Sequence, residues 1–134
     1  MKTKTLKKIE VDFQPVEKMR YATCGDYFPK KDGTLRFEIA DMGDVFYNKM
    51  VLIHEMIEQA LTEKFGITNK QIDKFDFMFE KEVNEGRHLP GAEAGSDVRC
   101  PYHREHTLAT AVEMMMCSLT GVKWNEYNSR VENL

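Results

Sequence analysis

The sequence predicts an α+β fold, a small antiparallel sheet of two or three strands in residues 1–42 packed on about three helices. Three observations carry this. Short segments of alternating polarity, separated by turn residues, fill the amino-terminal third; apolar residues recur every three or four positions from Asp44 onward; and 134 residues that are 42% hydrophobic suffice for one core and are short for two. The reading is a single domain over 1–134.

Leu6–Phe13 (LKKIEVDF) partly alternates, Met19–Cys24 (MRYATC) is short and aromatic, and Thr34–Ala40 (TLRFEIA) sets Leu35, Phe37 and Ile39 on one face. Gly25–Pro29 (GDYFP) and Lys30–Gly33 (KKDG) read as the turns between these strands. Asp44 is placed to cap a helix over 44–65, with Phe46, Met50, Ile53, Ile57, Ala60, Leu61 and Phe65 as its inner stripe and Gly66 at its end. Thr68 opens a second helix, 68–85, with Ile72, Phe75, Phe79 and Val83 inward. Residues 86–101 (GRHLPGAEAGSDVRCP) hold too many Gly and Pro breaks for regular structure, and so long a loop in a small domain suits a functional segment. A third helix follows over 102–119 (YHREHTLATAVEMMMCSL), stopped by Gly121, and a polar tail with Trp124 and Tyr127 reads as a clasp over the helices. One or two of Met114, Met115 and Met116 are expected to fill gaps in the core.

Basic and acidic side chains, 19 and 22 in number, are interspersed to a net charge of −3, so no basic face points to nucleic acid. Cys24, Cys100 and Cys117 are odd in number and far apart, which fits a reducing compartment better than a disulfide framework. The amino terminus (MKTKTLKKIEVDF) lacks a signal-peptide apolar run, and no segment approaches the roughly 18 apolar residues of a membrane span. A cytoplasmic location is expected. Oligomeric state is left open.

The chemistry-bearing stretch is VLIHEMIEQ, residues 51–59. Positions i and i+4 stack on one helix face, so His54 and Glu58 project together with Glu55 beside them. Catalytic zinc sites take three His or carboxylate ligands and leave a position for water, with a neighbouring Glu able to act as base. Here the pattern is HExxE, where HExxH carries two histidines. One more histidine completes a set of two imidazoles and a carboxylate for a single zinc ion. His106 is the expected third ligand with His103 as the alternative, and Glu113, on the His106 stripe with Thr110 beside small Ala109, is placed to orient a ligand histidine. His88 reads as a loop histidine. Asp97, Arg99 and Cys100 are the candidate substrate loop, and Cys100, near His103, is also a donor type that suits zinc.

The order of strand TLRFEIA, helix LIHEMIEQAL and later helix HREHTLATAVE resembles the small zincin-type metallopeptidases of phages, prophages and mobile elements akin to the ImmA/IrrE family. The resemblance covers 34–119 in layout. It implies His54 as first ligand, Glu55 as general base, Glu58 in the place of the second histidine and His106 as late ligand, with the strand before the motif helix edging a cleft for a peptide or protein substrate. Glu58 departs from that pattern, and a carboxylate ligand weakens a metal's pull on its water. Two further readings stand beside this one. A non-catalytic zincin-like binding or structural module is the first. The second is an all-helical magnesium-dependent nucleotide pyrophosphohydrolase using Glu55, Glu58, Gln59, Glu63 and Glu113, against which the imidazoles at 54 and 106 argue.

Overall fold

Alternating polarity along Thr34–Ala40 produces the middle strand of a three-stranded sheet, partnered on both edges. The computed structural model, which describes residues 6–134, orders the strands β1 (Lys8–Gln14), β3 (Thr34–Ala40) and β2 (Gly25–Pro29). Residues 1–5, part of the segment weighed above for a signal peptide, lie outside the described residues. β2 runs antiparallel to β3, but β1 runs parallel to it, so the sheet is mixed where an antiparallel one was expected. The cause is the connection between the first two strands. Residues 15–24 carry the chain from one edge of the sheet to the other, with a 3-10 turn at Val16–Lys18, and a crossing of this kind permits parallel pairing that a tight hairpin does not. Met19–Cys24, expected as a strand, belongs to that crossing, and Gly25–Pro29, expected as a turn, is β2 itself.

Leu35, Phe37 and Ile39 are buried, while Arg36, on the other face of β3, binds Glu10 at 3.3 Å, Asp12 at 3.0 Å and Glu38 at 3.0 Å. Three helices start and end within one residue of their expected bounds: α1 (Val45–Lys64), α2 (Asn69–Asn84) and α3 (His103–Thr120). The Asp44 carboxylate accepts from the Tyr47 amide at the head of α1, and Thr68 and Gln71 form a reciprocal capping box on α2. A fourth helix, α4 (Trp124–Glu132), stands where a polar tail was expected. The 86–101 segment is irregular apart from a 3-10 turn at Ala94–Ser96.

The face α1 buries differs from the expected stripe. Asn48, Met50, Val51, His54, Glu55, Glu58 and Thr62 are buried, while Ile53, Ile57 and Leu61 are half-buried and Phe65 is exposed. An inward face rich in charge is stable only where its groups are paired, since an isolated buried carboxylate is costly. Apolar packing flanks it in two clusters, one around Tyr27, Leu35, Phe37, Phe75, Phe79 and Tyr102, the other around Ile39, Met50, Val51, Cys117 and Tyr127. Each large side chain buried there contributes about 1.5–3 kcal/mol. Met114 and Met115 are exposed, and only Met116 leans on the second cluster. Among the described residues, no helix is long and apolar enough to cross a membrane.

Candidate metal centre

The helical repeat stacks His54 on Glu58 in α1 and sets His106, Ala109 and Glu113 on the buried side of α3. Ala109 is fully buried, and its small side chain permits close approach of a neighbouring helix. The side chains of the two helices meet there. His54 Nε2 lies 2.7 Å from Glu58 Oε2; His106 Nδ1 lies 2.6 Å from the same oxygen and 3.1 Å from His54 Nε2. His54, Glu58 and His106 are a buried group that can hold one metal ion. Donors at about 2.0–2.1 Å around a tetrahedral ion stand roughly 3.3 Å apart, so these donors would open by several tenths of an ångström to admit one. Two imidazoles and a carboxylate are chemically suited to that role.

The ring nitrogens that face away from the group both meet carboxylates. His54 Nδ1 is hydrogen-bonded to Glu113 Oε1, and Glu113 Oε2 accepts from the Tyr127 hydroxyl. His106 Nε2 lies 3.1 Å from Glu93 Oε2. Such outer carboxylates fix the tautomer and orientation of a ligating imidazole and raise its basicity. A glycine makes room for His106: a Cβ at Gly95 would stand 2.4 Å from His106 Cγ and Nδ1. Gly25, inside β2, makes similar room for Glu55, whose Cγ would lie 2.6 Å from a Cβ there.

Without an ion the cluster is held by charge. Burial disfavours an imidazolium at His54, but the bonds to Glu113 and Glu58 win and push it well above its ordinary range. His106 follows the same balance, burial against Glu58 and Glu93, and is pushed up to about 9. Burial would raise Glu58, yet His106 and His54 hold it down at about 2. Glu55 shifts the other way: burial first, then the charge of Glu58, raise it well above the usual carboxylate range.

These groups line a cavity of about 320 Å³ walled by Gly25–Tyr27 of β2, by α1, α2 and α3, and by residues 91–95. β3, expected to edge the cleft, has a neighbour on each side; the outer strand β2 supplies the cleft edge instead. The remaining candidates lie apart from the three-residue group. His103 Nδ1–H donates to the Gly95 carbonyl at 2.9 Å, and His88 lies 3.0 Å from Glu82 and against Phe79. Cys100 is buried in the first apolar cluster, where desolvation pushes its thiol up to about 12. Arg99 bonds Asp97 at 2.8 Å and Glu82 at 2.7 Å, and neither Asp97 nor Arg99 lines the cavity. Glu93 was not anticipated, because an irregular loop offers no periodicity to locate it. Nor was the link from Tyr127 to Glu113, which depends on α4 folding back. Compared with known proteins, the chain matches no protein-family model, no curated protein and no solved structure.

Proposed function

We propose that the protein is a zinc-dependent hydrolase acting on peptides. The observation that carries this is the convergence of His54 Nε2, Glu58 Oε2 and His106 Nδ1 beside the buried Glu55 carboxylate in one cavity. Two imidazoles favour zinc over the harder magnesium, whose preferred donors are oxygens. The mixed sheet also speaks against the all-helical nucleotide-hydrolase reading. Bound zinc would supply Lewis acidity and a water of lowered pKa. Glu55 would hold the proton given up by the attacking water and deliver it to the leaving amine, and its raised pKa brings it nearer the working pH of a general base. Glu113 and Glu93 hold the two imidazoles in the tautomers that leave Nε2 of His54 and Nδ1 of His106 free to donate. The outer edge of β2 offers backbone groups for an extended substrate to pair with. Three free thiols suit a reducing compartment such as the cytoplasm.

Elemental analysis with a peptide-library cleavage assay tests this. The expectation is one zinc per chain, retained in Glu55→Gln while cleavage falls by at least ~100-fold. A carboxylate in the ligand set favours one rival, a zinc-holding module without turnover. Zinc retained in both proteins with cleavage in neither would establish that rival.

A further inference from the structure

We propose that the cavity seats an alkylammonium group of the substrate, from a lysine side chain or a peptide amino terminus, against Asp76 between Tyr21 and Tyr102. This rests on the peptide-hydrolase reading for its substrate class, and on side chains outside the metal group for its chemistry. Among the described residues, no lysine or arginine lines the cavity, although carboxylates do so from several elements. Some of these are accounted for. Arg20 neutralises Asp26 at 2.7 Å, and the two imidazoles engage Glu58, Glu93 and Glu113.

Among the described residues, neither Asp76 nor Glu55 is paired with a cation. Asp76, on α2, is only 4% exposed, and its two oxygens accept from Tyr102 at 2.6 Å and Tyr21 at 2.9 Å. Both donors are neutral phenols, so the charge is uncompensated, and each oxygen keeps a lone pair for another donor. Glu55 is 8% exposed, lines the same cavity and, among the described residues, its carboxylate makes no hydrogen bond. A carboxylate buried without a counter-charge is expensive, and Asp76 meets that cost either by taking up a proton or by pairing with a cation that enters the cavity. The walls suit an ammonium on a carbon stem. Tyrosine faces attract cations, and Val16, Ile72, Phe79 and Val83 provide apolar surface for methylenes. Glu80, beyond Asp76 on the same helix, adds negative charge to the lining.

Fluorescence anisotropy with labelled octapeptides of alanine and leucine tests the assignment on the zinc-loaded chain. One peptide is amino-acetylated and carries a lysine, the second carries norleucine in its place, and the third is the norleucine peptide with a free amino terminus. The lysine peptide, the free-terminus peptide or both should bind at least ~10-fold tighter than the acetylated norleucine peptide. Which of them does so identifies the source of the ammonium. Asp76→Asn, which keeps the side-chain shape, should bring the three within about twofold, and Glu80→Gln should narrow the gap. Equal binding of all three by the parent chain overturns the proposal, as does discrimination that survives Asp76→Asn or, where that variant does not fold, discrimination left undiminished by Glu80→Gln. Cleavage of the same peptides is scored separately. Discrimination without cleavage removes the hydrolase reading alone, and cleavage without discrimination removes the ammonium pocket alone.

Discussion

Glu113 fixes how His54 presents itself. Its Oε1 meets His54 Nδ1 and its Oε2 accepts from Tyr127, so one carboxylate relays order from α4 to the metal group. Glu113→Gln keeps the shape and removes the charge; zinc affinity should fall about 10–100-fold in a chelator competition, and an unchanged affinity would contradict the relay. Tyr127→Phe leaves Glu113 short of a donor in a buried setting and should cost about 1–3 kcal/mol in thermal or denaturant unfolding, with a smaller effect on zinc. The helical repeat alone groups His54 with Glu58 and His106 with Glu113, and the sequence was sufficient to name them. It could not name Glu93 or Tyr127, because each acts across a distance that only the folded chain closes.

Among the elements, the 86–101 segment has its position set from both sides. Glu82 of α2 receives Arg99 at 2.7 Å, His88 at 3.0 Å and Arg87 at 3.4 Å, while Gly95 lies against His106 and accepts from His103. Gly95→Ala drives a Cβ into the His106 ring, which must shift along with its bond to Glu58. The expected result is a loss of about 1–3 kcal/mol in stability together with weakened zinc binding, read by unfolding and chelator titration. Glu82→Ala should instead speed amide hydrogen exchange at Gly95 and Ser96 while leaving β3 protected; unchanged exchange there would mean that the latch is not needed. Helix bounds were legible because caps and apolar spacing are local signals. Strand identity was not: β2 carries Gly25 for clearance from Glu55 and Pro29 at its end, the composition of a turn, and the parallel partner of β3 is chosen by a crossing whose path no local pattern encodes.

For the molecule as a whole, the α+β class was legible from the switch in periodicity after Asp44, and the buried charge of α1 was not, because its hydrophobic spacing suggested another inner face. That charge makes stability depend on pH. His106, moved from 6.5 up to about 9, contributes fully below pH 6.5 and loses its contribution as the pH rises through about 9. Glu58, moved from 4.5 down to about 2, contributes above 4.5 and loses it only as the pH falls through about 2. Glu55, raised above 4.5, opposes folding increasingly as the pH climbs past that value. The ion-free chain should therefore lose melting temperature from pH 6.5 toward 9. The gain on adding zinc should grow over the same interval, because both imidazoles must shed protons to ligate. Calorimetry with and without chelator measures both trends, and a zinc gain that shrinks toward high pH would contradict this account. His54 and His106 stand 52 positions apart, and between them lie all of α2 and the irregular segment after it. A shared ion would tie that stretch into a closed ring, and a tether of this span restricts the unfolded chain more than a short one does. Withdrawing the ion should then loosen α2, a helix that supplies none of the three donors.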